Sequence, residues 1–267
     1  NGALSREAFR ARSRAVPNGP YSSFIMCLAV SEGAERAKML LKTLALYRDF
    51  PQASFFLGTH YFEIGDCVRA IQYLAPSLKA AQSFLEAEFM LGTCYLKQDN
   101  LAEAIRAYNA IVKRCQVLEV LNNLGVAYLR RGDYSLALRH LVEARALAPK
   151  DLTVGLNLAI LRHLQGDEPA ALAVLEEMVP AYADQGMLQY LYSLALKSRG
   201  DSQKAAVALL QAKRLGVEPE KARRQDPRNW TQIFPIWIRR PAVTWGGKTG
   251  SSKVTAASAI DKAAGHS

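Results

Sequence analysis

The chain has 267 residues, half of them hydrophobic and 22% charged, with a formal charge of +10 at pH 7. This balance is too apolar for a disordered chain, and every long apolar stretch is broken by Arg, Lys or Asp before the roughly 18 residues a membrane span needs. The charge is not laid out as a nucleic-acid surface either: residues 1–17 carry four Arg against Glu7, residues 220–267 carry nine Lys or Arg against three acids, and the body between them is nearly neutral.

Residues 1–17 are expected to form a basic helix or leader, and the start at Asn1 leaves a periplasmic or secreted setting open. Against that, Cys27, Cys67, Cys94 and Cys115 lie far apart, with no Cys-x-x-Cys pair and no His at metal-ligand spacing. They read as reduced packing residues, which favours the cytoplasm. No metal or cofactor is expected.

From residue 18 onward the chain is periodic. Gly65-Asp66, Asp99-Asn100, Gly132-Asp133, Gly166-Asp167 and Gly200-Asp201 recur at intervals of 34, 33, 34 and 34 residues. A Gly that ends one helix in a left-handed conformation, followed by an Asp that caps the next, writes a tight turn between two helices. Asp99-Asn100 keeps that ability, since Asp tolerates a left-handed backbone and Asn is a good N-cap.

Other residue types return in register. Seven or eight residues before each of the first four turns stands Leu57-Gly58, Leu91-Gly92, Leu124-Gly125 or Leu158-Ala159. In the first three, an aromatic follows three residues after the Gly, as Tyr61, Tyr95 and Tyr128. Beyond the turns come Ala70, Ala104, Ala137, Ala171 and Ala205. Small residues let paired helices approach and large ones fill the space beside them. Pro51, Pro149 and Pro219 punctuate the boundaries, where a proline can end or open a helix.

These positions resemble the tetratricopeptide repeat. The resemblance implies an all-α, right-handed superhelix (α-solenoid) of antiparallel helix pairs, with six repeats at 18–50, 51–84, 85–117, 118–151, 152–185 and 186–219. The first is degenerate, with Phe24-Ile25 in place of Leu-Gly, and the last two drift, with Arg162 and Leu196 at the Tyr position and Ser193 at the Gly position.

In such a stack the first helices line the concave face, so the candidate binding residues are their inward positions. In the second repeat these include Phe55, Phe56, Thr59 and Phe62; in the third, Phe89, Met90 and Thr93. The fourth offers Asn122, Asn123, Val126 and Arg130, and the fifth Asn157. The aromatic set reads either as core or as an exposed apolar site. The asparagines read either as solvated surface or as forks for a peptide main chain.

One subset of the family clamps a C-terminal carboxylate through a set of Lys, Asn and Arg. Only Asn123 fits it here, and Phe89, Thr93, Thr153 and Asn157 stand where the remaining members would be. The expected ligand is therefore a protein or peptide that is apolar or amide-bonded, with no carboxylate clamp.

Residues 220–241 contain Asp226-Pro227, a helix start, and then Trp230, Ile233, Phe234 and Trp237 at helical spacing, with a stop expected at Pro235 after about two turns. This segment reads either as a cap on the last repeat or as an insert in its own or a neighbour's groove. Residues 242–267 read as a flexible tail, in which Gly247-Lys248-Thr249 and Lys248-Thr249-Gly250 are chance matches to phosphate-loop and β-lactamase elements.

His60, His140 and His163 fall on separate repeats without a nucleophile or paired carboxylate, so no enzyme activity and no small-molecule substrate are expected. The expected role is a protein-interaction scaffold or adaptor. The alternative is a regulatory or substrate-recruiting region of a larger enzyme, signalling or secretion assembly. Oligomerisation is left open, and the charge layout argues against nucleic acid.

Overall fold

The computed structural model describes residues 19–29, 33–80 and 85–233. The expectations for 1–17, for Phe234 to Trp237 and for the 242–267 tail lie outside the described residues. Within them most helices pack against a chain neighbour of the same unit, and no strand occurs. The residues fall into two compact units, 19–111 and 112–233.

The N-terminal unit holds α1 (Pro20–Ala29), α2 (Gly33–Leu46), α3 (Pro51–Glu63), α4 (Cys67–Ala80), α5 (Leu85–Lys97) and α6 (Leu101–Val112). The C-terminal unit holds α7 (Leu118–Arg131), α8 (Tyr134–Leu147), α9 (Leu152–Leu164), α10 (Glu168–Met178), α11 (Gly186–Arg199), α12 (Ser202–Arg214) and α13 (Pro219–Arg224), followed by a single 3-10 turn, Pro227–Trp230. The fold class is the all-α solenoid of stacked helix pairs that the period implies.

The turns form for the reason the dipeptides suggest. Gly65, Asp99, Gly132, Gly166 and Gly200 all have positive φ, and Asp99 at 58° is the one non-glycine among the described residues to do so. In each turn the next N–H reaches back to the carbonyl at the repeat's Tyr position: Asp66 to Tyr61, Asn100 to Tyr95, Asp133 to Tyr128, Asp167 to Arg162 and Asp201 to Leu196, at 2.8–3.0 Å. That bond satisfies a carbonyl the ending helix would leave orphaned.

The capping half of the expectation needs correction. Asp66 accepts from the Arg69 N–H at 3.0 Å and Asp167 from the Ala170 N–H at 3.2 Å. Asp133 and Asp201 make no such bond. Their carboxylates pair with Arg131 and Arg199, two residues back. Ile64 and Gln165 occupy that place in the capped turns. An arginine immediately before the turn glycine thus draws the carboxylate away from the helix N-terminus.

Close approach at the small residues is also direct. A Cβ on Gly58, Gly92 or Gly125 would stand 2.6 Å from Leu74, 2.8 Å from Tyr108 and 2.7 Å from Leu141, a residue 16 positions on in every case. The alanines of the second helices, Ala70, Ala104, Ala137, Ala171 and Ala205, are buried. First helices also touch one another within each unit, α3 with α5, and α9 with both α7 and α11. This contact gives each unit an inner face made of first helices.

Candidate peptide-binding site

The two units present different chemistry at the inward positions. In the N-terminal unit, Phe55, Phe56, Thr59 and Phe62 are half-buried on α3. Phe56 meets Phe24 edge-on at 5.3 Å and Phe55 at 5.6 Å, and Lys97 lies over the Phe62 ring at 5.9 Å. The Thr59 hydroxyl donates to the Phe55 carbonyl of its own helix.

Phe89, Met90 and Thr93 on α5 are buried. Phe89 tilts on Tyr108, whose hydroxyl also bonds the Thr93 hydroxyl at 3.0 Å. Phe89 and Thr93 pack the α5–α6 pair, Met90 joins the core cluster with Leu57, Tyr61 and Leu74, and the three offer little surface to a ligand. Tyr108 fills the space over Gly92, and that drew Phe89 and Thr93 inward.

In the C-terminal unit, Asn122, Asn123 and Val126 on α7 and Asn157 on α9 are fully buried, and Arg130 is half-buried. What covers the asparagines is the chain's own segment after α13. Asp226 accepts from the Arg228 N–H at 2.9 Å and opens the 3-10 turn. After that turn Thr231 is extended, with φ −60° and ψ 141°.

The two-turn helix expected here is therefore one short turn. At Thr231 and Gln232 the chain leaves the helical path and binds α7 and α9 instead. The Gln232 N–H donates to Asn157 Oδ1 at 2.7 Å, and the Gln232 carbonyl accepts from Asn157 Nδ2 at 2.7 Å and from Asn122 Nδ2 at 3.2 Å. One primary amide thus pairs with both main-chain groups of one residue.

The fork is held from behind. Asn157 Nδ2 also donates to Asn122 Oδ1 at 2.8 Å, and Asn122 Nδ2 to Asn123 Oδ1 at 3.2 Å. Buried amides this well bonded have one orientation, because turning either would oppose donor to donor. Beside them Arg130 Nε donates to the Thr231 hydroxyl at 3.0 Å, and that hydroxyl donates to the Arg228 carbonyl at 2.7 Å.

Trp230 is the apolar anchor, 5% exposed. It stacks on His163 at 6.2 Å and meets Tyr190 edge-on at 5.6 Å. Its indole N–H makes no hydrogen bond. His163 is fixed in turn by Glu168, Nδ1 to Oε1. Burial pushes the Tyr190 hydroxyl above its ordinary value, with Arg223 opposing.

Sequence reasoning missed Tyr190 and His163. Tyr190 lies two 34-residue periods beyond the inward Asn122, so the register could have found it. His163 stands three residues before its turn glycine, as the inward Phe62 does, so the register could have found it too. His140, by contrast, stacks on Tyr128 at 5.6 Å and bonds Glu143 at 3.0 Å. Burial lowers its pKa from the ordinary 6.5, with Glu143 opposing.

Asn123, the lone match to the carboxylate-clamp set, spends its oxygen on Asn122. Among the described residues no group of His, Cys, Asp or Glu is placed to hold a metal, and no helix is long and apolar enough to cross a membrane. The four cysteines are free. Burial, with the Cys67 thiol adding to it, raises the pKa of Cys94.

Two models of the tetratricopeptide repeat match the chain, one at residues 83–150 and one at 128–195. No curated protein matches it. Among solved structures it is similar to MamA, with 21% identity and a TM-score of 0.56 over 62% of this chain and 97% of that one. It is also similar to YrrB, described as a repeat protein of this kind with an unusual peptide-binding site, with 16% identity and a TM-score of 0.57 over 71% of this chain and all of that one. Stacks of this type serve as protein-interaction scaffolds. With the repeat turns, the close-packed small residues and these matches in hand, the chain carries tetratricopeptide repeats over residues 83–195, the stretch the two models match.

Proposed function

We propose that this scaffold binds an extended polypeptide segment on the inner face of its C-terminal unit, reading the ligand's main chain through Asn157 and Asn122. The observation that carries this is the pair of hydrogen bonds between the Asn157 amide and the two main-chain groups of Gln232. An amide that donates and accepts at main-chain spacing suits any residue except proline, and Arg130 adds a donor for a neighbouring hydroxyl or carbonyl. The similarity to YrrB, whose description includes peptide binding, agrees with this reading. The mechanism is binding alone, and the fork has no cation set for a terminal carboxylate.

The half-buried Phe55, Phe56 and Phe62 offer the N-terminal unit an apolar contact of its own. The test is a random library of synthetic peptides, each made with a free and an amidated C-terminus, bound to the full chain. Enriched peptides should bind equally in both forms and be lost on Asn157→Leu. Peptides that require the free carboxylate, or that bind Asn157→Leu unchanged, would contradict the proposal.

A further inference from the structure

Resting on that reading, we infer that residues 226–233 are an internal occupant of the groove, and that the partner which displaces them is an extended segment carrying an aromatic residue two positions before the one clamped by Asn157, with a Ser or Thr between. The chemistry of the seat argues for this partner. At the aromatic position the pocket is formed by the His163 and Tyr190 rings and buries Trp230 almost completely, yet leaves the indole N–H without a bond. It recognises a ring and places no demand on the N–H.

At the next position Arg130 bonds a side-chain hydroxyl. At the third, only the main chain is read: the Gln232 side chain is exposed and turns back to the Trp230 carbonyl at 3.1 Å. The specificity is therefore aromatic, hydroxyl, then any residue with an N–H.

A cap that merely closed the last repeat would need an apolar seat. Here the seat includes the buried amides of Asn122 and Asn157, whose desolvation is offset in part by the main-chain groups of Gln232. Moreover, the segment follows α13 with only Gln225 between them, so its effective concentration at the groove is in the millimolar range, as for short tethers. An outside segment competes against that. Its apparent affinity is reduced by the fraction of molecules whose groove is open.

The probe is a labelled peptide with the sequence of residues 226–233, blocked at both ends, titrated into the full chain by fluorescence anisotropy. Two variants open the groove. Trp230→Ala removes the anchor. Gln232→Pro removes the N–H donated to Asn157, and the extended Thr231 before it is already in the conformation a following proline favours.

Both should bind the peptide about tenfold or more tighter than the wild type, and adding Asn157→Leu to either should abolish the gain. Changing the peptide's Trp to Phe should keep most of its affinity, and changing it to Ala should lose it. Wild-type affinity in both variants, with binding still dependent on Asn157, would overturn the internal occupant while leaving the peptide-binding reading in place. Failure of the probe to bind helical, folded variants would overturn the assigned ligand chemistry, and the library tests the binding reading separately. A wild-type dimer that either variant dissociates would place the segment in a second copy's groove and overturn the proposal.

Discussion

The N-terminal and C-terminal units are built by one period and differ in what they present. In 19–111 the inward residues of α3 are phenylalanines, joined edge-on to Phe24 and to one another. In 112–233 the corresponding places on α7 and α9 hold asparagines, and a strand-like stretch of the same chain lies on them. The repeat fixes the turns and the small-large contacts between paired helices. It leaves the inward positions free, so one scaffold carries an apolar surface in one unit and a main-chain reader in the other.

The contrast breaks most sharply where packing is deepest. Tyr108→Ala should cost about 3–5 kcal/mol, because it removes a fully buried ring that fills the space over Gly92 and supports Phe89 and Thr93. Hydrogen exchange should then lose protection in 85–111 first, and equal loss across 152–214 would contradict the separation. In the other unit, Gly125→Ala should cost about 1–3 kcal/mol by chemical denaturation, since the new methyl meets Leu141 and the Ala137 carbonyl. No change would mean the α7–α8 contact is looser than 2.7 Å implies.

A third difference is set by pH. The pKa of buried His140 is depressed below 6.5 in the folded state, so the unfolded chain binds the proton first. Stability from this group is present above pH 6.5 and is lost as pH falls from there through the lower folded value. His140→Phe should flatten that part of the stability profile, and an unchanged slope would refute it. The smallest effect separates two turns: Asp167→Ala should cost about 1 kcal/mol through its lost cap, whereas Asp133→Ala, with an exposed ion pair in place of a cap, should change stability by about half that or less.

Much of this was legible in the sequence because it is local. A left-handed backbone at Asp99, a helix contact at Gly58 too close for a methyl and a buried Ala70 each follow from a residue type recurring at a fixed spacing. The spacing placed Asn157 on an inward position, but left open whether it was solvated surface or a main-chain fork. The burial of Phe89 and Thr93 was not, since it depends on how far Tyr108 reaches across from the next helix.

Nor was the path of Trp230, whose spacing to Ile233 suggested a helix. The competing contacts come from residues 40 to 110 positions earlier in the chain. Local periodicity holds no record of them.

The most direct test is the exchange rate of the Gln232 amide proton in the full chain, followed by NMR. Its side chain is exposed and it belongs to no helix, yet its N–H is donated to Asn157. The amide should exchange slowly in the wild type and at a random-coil rate in Asn157→Leu. Random-coil exchange in the wild type would contradict the claim that the C-terminal unit reads a main chain.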